Sequence, residues 1–103
     1  MYIDSHCHLN FTELASKLEE VLSDMREAQV THALCVSVDL NKLPEILKLA
    51  EQHDNLYASV GVHPDYELED EPSQSLLVSL AQHPKVVAIG ETGLDYYRLQ
   101  GDL

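Results

Sequence analysis

Apolar, partly β-branched runs return along this chain at a regular interval, and that interval decides what it can fold into. Strand-like segments start near residues 3, 32, 57 and 86, with a helix-forming stretch between each pair. A period of roughly 25–30 residues is that of a βα repeat, whose right-handed crossovers leave successive strands parallel. The pattern reads β-α-β-α-β-α-β: four strands and three helices of an α/β fold built from parallel βαβ units. The strand runs are continuously apolar, which fits a parallel sheet covered on both faces.

The first strand carries Ile3-Asp4-Ser5-His6-Cys7-His8. Asn10 and Thr12 then offer helix-starting side chains, with Glu13 in the following turn. Leu14, Leu18, Val21, Leu22, Met25 and Ala28 recur at helical spacing and predict one helix over about 12–29. Residues 33–38 form the second strand, 41–52 the second helix with Pro44 tolerated in its first turn, and 56–62 the third strand. The acidic stretch over 65–71 is a loop. Pro72 and Ser73 open a third helix to about 82, carrying Leu76, Leu77, Leu80 and Ala81, and His83-Pro84 ends it. Residues 86–89 are the fourth strand. No low-complexity tract or interdomain linker interrupts the pattern.

The formal charge is −12, from 18 acidic residues against 6 Lys and Arg. That balance provides no basic footprint for nucleic acid. It does suit an acidic site that loads divalent cations, although acids on solvated helix faces give the same total. Cys7 and Cys35 lie inside apolar runs and read as buried, reduced thiols. No basic region followed by an apolar core opens the chain, and no apolar stretch reaches the ~18 residues of a membrane span. A soluble, cytoplasmic protein with no membrane partner is the expectation.

The unusual clusters all follow strand ends. In a strand, side chains alternate between faces, so His6 and His8 point to one side with Asp4 in register below them. Two imidazoles one strand step apart can close on a divalent cation through ring nitrogens at ~2.0–2.2 Å. Val62-His63-Pro64 follows the third strand, and Glu91 follows the fourth between Gly90 and Gly93. On a parallel sheet these ends share one rim, where α/β folds place their chemistry. His6, His8, His63 and Glu91 can therefore converge. On pattern alone His63 is also readable as a loop histidine and Glu91 as a turn acid. His32, His53 and His83 sit near strand starts or helix ends and are read as structural.

Three segments resemble the N-terminal signatures of TatD-type metal-dependent deoxyribonucleases. They are Ile-Asp-Ser-His-Cys-His-Leu at 3–9, Gly-Val-His-Pro at 61–64 and Gly-Glu-Thr-Gly-Leu-Asp-Tyr-Tyr at 90–97. The resemblance implies an amidohydrolase-like (β/α)8 TIM barrel, of which residues 1–103 are a single partial domain holding the first four strands. It implies two divalent metal ions (Mg, Mn or Zn) and a DNA or other phosphodiester substrate. It places His6, His8 and Glu91 on the metals, with Glu91 bridging, and His63 beside the scissile phosphate. Glu91 and His63 become the catalytic pair, Asp4 a support beneath the histidines, and Tyr96, Tyr97 and Arg98 nucleic-acid contacts.

Later histidines and a late aspartate, which in the family complete the second metal's shell and supply the general base, have no counterpart here. A barrel needs about 200 residues at least. The chain is thus expected to be a truncated part of a longer protein, needing its missing half, or else to self-associate. An amidohydrolase-like hydrolase of small molecules remains an alternative, as does an inactive metal-binding or assembly fragment.

Overall fold

In the computed structural model, which describes residues 1–64 and 72–96, the βα repeat is present. Strands β1 (Tyr2–Cys7), β2 (Val30–Cys35), β3 (Leu56–Val60) and β4 (Val86–Ile89) form one sheet in the order β1-β2-β3-β4. Every neighbouring pair is parallel, so all four carboxyl ends lie on one rim. The acidic loop over 65–71 and the tail bearing Tyr97 and Arg98 fall outside the described residues.

Helices α2 (Leu18–Glu27) and α3 (Leu43–Gln52) cover one face of the sheet. Leu22 of α2 and Ile46 of α3 meet Ala33, Cys35, Leu56 and Ala58 from the strands, and Leu9 closes the cluster from the loop after β1. Leu18, Val21 and Met25 pack against it partly buried, as their helical spacing requires. On the opposite face Ile3, Ser5, His32, Leu34, Tyr57 and Val87 line a shallow groove of about 380 Å³. Ile3 and Val87 are 62% and 58% exposed there, so this face is uncovered among the described residues. β1 and β4 are the two edges of the sheet.

Several boundaries differ from the sequence pattern, each for a local reason. The helix expected over 12–29 is two: α1 (Thr12–Ala15) and α2, broken at Lys17, whose φ of −125° and ψ of 27° are not helical. α1 buries no residue, and Leu14, counted in the apolar stripe, is 37% exposed. Nothing therefore holds α1 collinear with α2. The second helix begins as a 3-10 turn, Leu40–Lys42, with the Asp39 carboxylate accepting the Asn41 N–H at 3.1 Å, and Pro44 sits in the first turn of α3 as expected. α4 (Gln74–Leu80) starts at Ser73, whose hydroxyl accepts the Leu76 N–H at 3.0 Å. No residue of α4 is buried, and Leu76 is 44% exposed. The sheet ends at β4, and no further βα unit flanks that side among the described residues. β2 and β3 stop at Cys35 and Val60, before the expected 38 and 62, because the residues beyond leave the ladder to build the rim.

None of the described helices is long and apolar enough to cross a membrane.

Ile46 is 1% exposed and wedged between α3 and the sheet. Ile46→Ala should cost about 2–5 kcal/mol, a large part of the ~5–15 kcal/mol typical of a domain. Urea unfolding read by circular dichroism checks it; an unshifted midpoint would place α3 off the sheet.

Candidate metal centre

His6 lies near the end of β1 and His8 just beyond it. A register slip between Asp4 and Cys7 breaks strict alternation through this segment, so parity alone does not place the three groups. The two imidazoles nevertheless lie edge to face, with ring centroids 5.1 Å apart and planes at 82°. Asp4 supports the segment through its main chain: its carboxylate accepts the backbone N–H of His6 at 3.0 Å.

His8 is held on both sides. Its Nδ1 lies 3.2 Å from the Val36 carbonyl oxygen. A carbonyl only accepts, so Nδ1 carries the hydrogen, and in the neutral ring the lone pair is then on Nε2. Phe11 stacks on the ring at 4.5 Å between centroids and 10° between planes. This is the arrangement that fixes tautomer and aim in metal-binding histidines. Cys7, between the two histidines, is turned away; its thiol donates to the Leu34 carbonyl at 3.3 Å. Its hydrogen bond with Cys35, then burial, raises the thiol above the ordinary cysteine range; its direction toward Leu34 leaves it outside the group formed by His6, His8 and Glu91. Both cysteines are free, as their setting in apolar runs suggests.

Glu91 comes from the opposite edge of the sheet. Neighbouring strands stand ~4.8 Å apart, and β1 and β4 are three such spacings from one another. The backbone closes part of that gap. Gly90 N–H donates to the Val60 carbonyl at 2.9 Å, and Glu91 N–H then reaches past β3 to the Ser37 carbonyl at 2.8 Å. The Gly90–Glu91 peptide, which is cis, lies across Gly61. A Cβ on Gly61 would stand 2.6 Å from the Gly90 carbonyl carbon and oxygen and 2.7 Å from the Glu91 carbonyl oxygen. Glycine at 61 is thus required by close approach of backbone.

The result is a carboxylate set among three imidazoles. Glu91 Oε2 is 3.4 Å from His6 Nε2 and 3.6 Å from His8 Nε2, and Oε1 is 3.2 Å from His63 Nε2. His63 is anchored by its backbone N–H to the Val38 carbonyl at 2.9 Å. Donors arranged tetrahedrally at ~2.0–2.1 Å from a zinc-like ion are ~3.3 Å from one another. The observed spacings match, and the ligand atoms of His6, His8 and Glu91 all lie within 4.8 Å of one another. The donor set therefore fits a divalent cation.

A cleft of about 350 Å³ adjoins the group, lined by His63, Glu91, Thr92, Gly93 and Leu94 among others. Tyr96 is 65% exposed and is not drawn into the carboxylate group, and Arg98 lies outside the described residues. His83 is structural, its Nε2 donating to Glu51 at 2.8 Å while its Nδ1 accepts the Lys85 N–H at 3.1 Å. Sequence reasoning missed Phe11, Ser37 and Ser59. The serines had a signal: hydroxyls inside continuously apolar strand runs need internal partners.

A family model described as TatD related DNase matches residues 3–102. An uncharacterized metal-dependent hydrolase of Buchnera aphidicola subsp. Baizongia pistaciae is 38% identical over 99 residues, covering 93% of this chain and 37% of the relative. YabD, an uncharacterized metal-dependent hydrolase of Bacillus subtilis, is 35% identical over 98 residues, covering 94% and 38%. The 3'-5' ssDNA/RNA exonuclease TatD of Pantoea ananatis is 39% identical over 97 residues, covering 92% and 37%. The crystal structure of YjjV, a TatD homolog from Escherichia coli K12, superposes with a TM-score of 0.76 at 33% identity, covering 93% of this chain and 38% of that one. Four parallel strands with helices between thus correspond to part of that relative's barrel. The chain spans 37–38% of the length of these relatives.

Zn²⁺ or Mn²⁺ at a hundredfold excess over its dissociation constant should stabilise the chain by ~2.7 kcal/mol, a rise in melting temperature of roughly 10–20 °C. Glu91→Gln should lose most of that rise. Differential scanning calorimetry with and without the ion checks it, and a wild-type transition indifferent to every divalent ion would remove the metal centre.

Proposed function

This chain belongs to the TatD-related DNase family, a family of metal-dependent hydrolases, and on that premise we propose that it carries the metal-binding rim of a phosphodiesterase acting on single-stranded DNA. The observation that carries the reading is the Glu91 carboxylate, with His6, His8 and His63 nitrogens 3.2–3.6 Å from its oxygens. The exonuclease name of the Pantoea relative supports single-stranded nucleic acid as the substrate class.

His6, His8 and Glu91 are the residues that would hold the ion, and a second ion would share Glu91. When bound, such ions polarise the phosphoryl oxygen and lower the pKa of water toward ~7. The chain's own residues do the rest. Val36 and Phe11 keep the His8 lone pair aimed at the site. His63, on the other oxygen of Glu91, lines the cleft where the scissile phosphate would sit and can donate to its oxygens. Exposed Tyr96 offers an aromatic face on which a base can stack, worth ~1–3 kcal/mol per base. Arg98 is assigned to the phosphate backbone by the same reading.

The net charge of −12 favours a second reading, hydrolysis of a small molecule that does not need to bring a polyanion to an acidic surface. The two separate in one assay. With Mn²⁺ or Mg²⁺, the chain joined to the residues that complete the barrel in its relatives should release nucleotides from end-labelled single-stranded DNA. Chelation should abolish that release, and His6→Ala or Glu91→Gln should reduce it on the order of a hundredfold. A completed barrel that binds the metal and leaves DNA intact would discard the nuclease reading in favour of the small-molecule hydrolase or a non-catalytic metal-binding part.

A further inference from the structure

We propose that Ser59, together with Ser37, is a positioning residue that keeps the Glu91 carboxylate over the histidines of β1. Both act on the 90–91 peptide and neither touches the cation; the inference rests on the metal-binding reading above.

Ser59 stands in β3 at 1% exposure and Ser37 just beyond β2 at 0%. A serine hydroxyl sealed from water must spend both its donor and its acceptor on protein groups. Ser59 spends them on two different strand ends. Its Oγ–H donates to the Gly90 carbonyl at 2.8 Å, and the same oxygen accepts the Ser37 N–H at 3.1 Å. Ser37 makes the return connection. Its carbonyl takes the Glu91 N–H at 2.8 Å, and its own hydroxyl donates to the Gly61 carbonyl at 2.8 Å. Four bonds therefore join the ends of β2, β3 and β4 around the residue that precedes Glu91.

These bonds lie apart from what the sheet itself needs. The β2–β3 ladder ends with Cys35 opposite Ala58, and the β3–β4 ladder with Val60 opposite Ile89. The hydroxyl bonds add nothing to either ladder; they fasten a peptide that has left the sheet. Gly61 gives that peptide room to cross, but open space does not hold it in place. Ser59 supplies the hold on one side and Ser37 on the other. Without them Glu91 is tied by its amide alone and its carboxylate loses a fixed position relative to His6, His8 and His63.

The test compares wild type, Ser59→Ala and Glu91→Gln in two measurements. Amide hydrogen exchange by NMR reports the latch with no metal present. In Ser59→Ala the Glu91 amide should exchange several-fold faster, while Ala33 and Cys35 in the ladder keep their wild-type rates. Cobalt(II) titration followed by visible absorption reports the centre. Ser59→Ala should bind the ion about tenfold more weakly, with its spectrum moved toward that of Glu91→Gln. Unchanged Glu91 exchange together with a wild-type cobalt spectrum in Ser59→Ala would overturn the proposal. If Ser59→Ala does not fold, Ser37→Ala, which removes only the bond to the Gly61 carbonyl, takes its place: faster Glu91 exchange and weaker cobalt binding support the latch, and wild-type values of both overturn it. A wild-type chain that binds no cobalt(II) would defeat the metal-binding reading, and the exchange rates would still decide the latch.

Discussion

Glu91 meets the histidines of β1 because a peptide passes over Gly61 where any side chain would stand. The two groups belong to opposite edges of a four-stranded sheet, and parallel strands keep a fixed spacing that side-chain reach alone spans poorly. Moving the Glu91 amide onto Ser37, beyond the end of β2, brings the carboxylate a strand and more nearer to β1. The rim is thus not the simple sum of residues that happen to follow strands. It is a second, local structure laid over the strand ends, and its geometry depends on one missing Cβ and two buried hydroxyls.

The two faces of the sheet stand in different states. Towards α2 and α3 the strands present Ala33, Cys35, Leu56 and Ala58 to a dry layer that includes Leu22 and Ile46. The other face carries Ile3, Leu34, Tyr57 and Val87 around an uncovered groove. A parallel sheet is ordinarily covered on both faces, and apolar area left wet forgoes ~25 cal/mol per Å². The candidate metal centre does not draw on that face, which is uncovered among the described residues. Its supports are backbone and hydroxyl bonds at the carboxyl rim, so its geometry is set by groups within these residues even though the relatives it matches are much longer.

The βα period was legible because each crossover must return the chain across the sheet, which forces a near-constant length between strands. Convergence of His6, His8, His63 and Glu91 was legible for the same reason: parallel strands send their carboxyl ends to one rim. The break at Lys17 was not, because Leu14 keeps helical spacing with Leu18 and only tertiary context shows that α1 buries no residue. The exposure of α4 was not legible either, since apolar residues at helical spacing mark a face but not whether a neighbour exists to cover it. Strand parity was also insufficient at Asp4, where a register slip intervenes and the carboxylate serves a backbone N–H.

The turning of Cys7 away from His6 and His8 carries a chemical consequence beyond geometry. A thiol is a competent ligand for zinc-like ions only as thiolate. Here Cys7 turns its thiol toward the Leu34 carbonyl and away from the group formed by His6, His8 and Glu91. The donor set that remains is imidazole and carboxylate, which accommodates Mg²⁺, Mn²⁺ or Zn²⁺ to different degrees and excludes the softer thiolate preference. Such a set would also reconcile the charge of −12 with the phosphodiester substrate proposed above. Where cations bound by His6, His8 and Glu91 carry the positive charge at the phosphate, the chain has no need of a basic surface at that point.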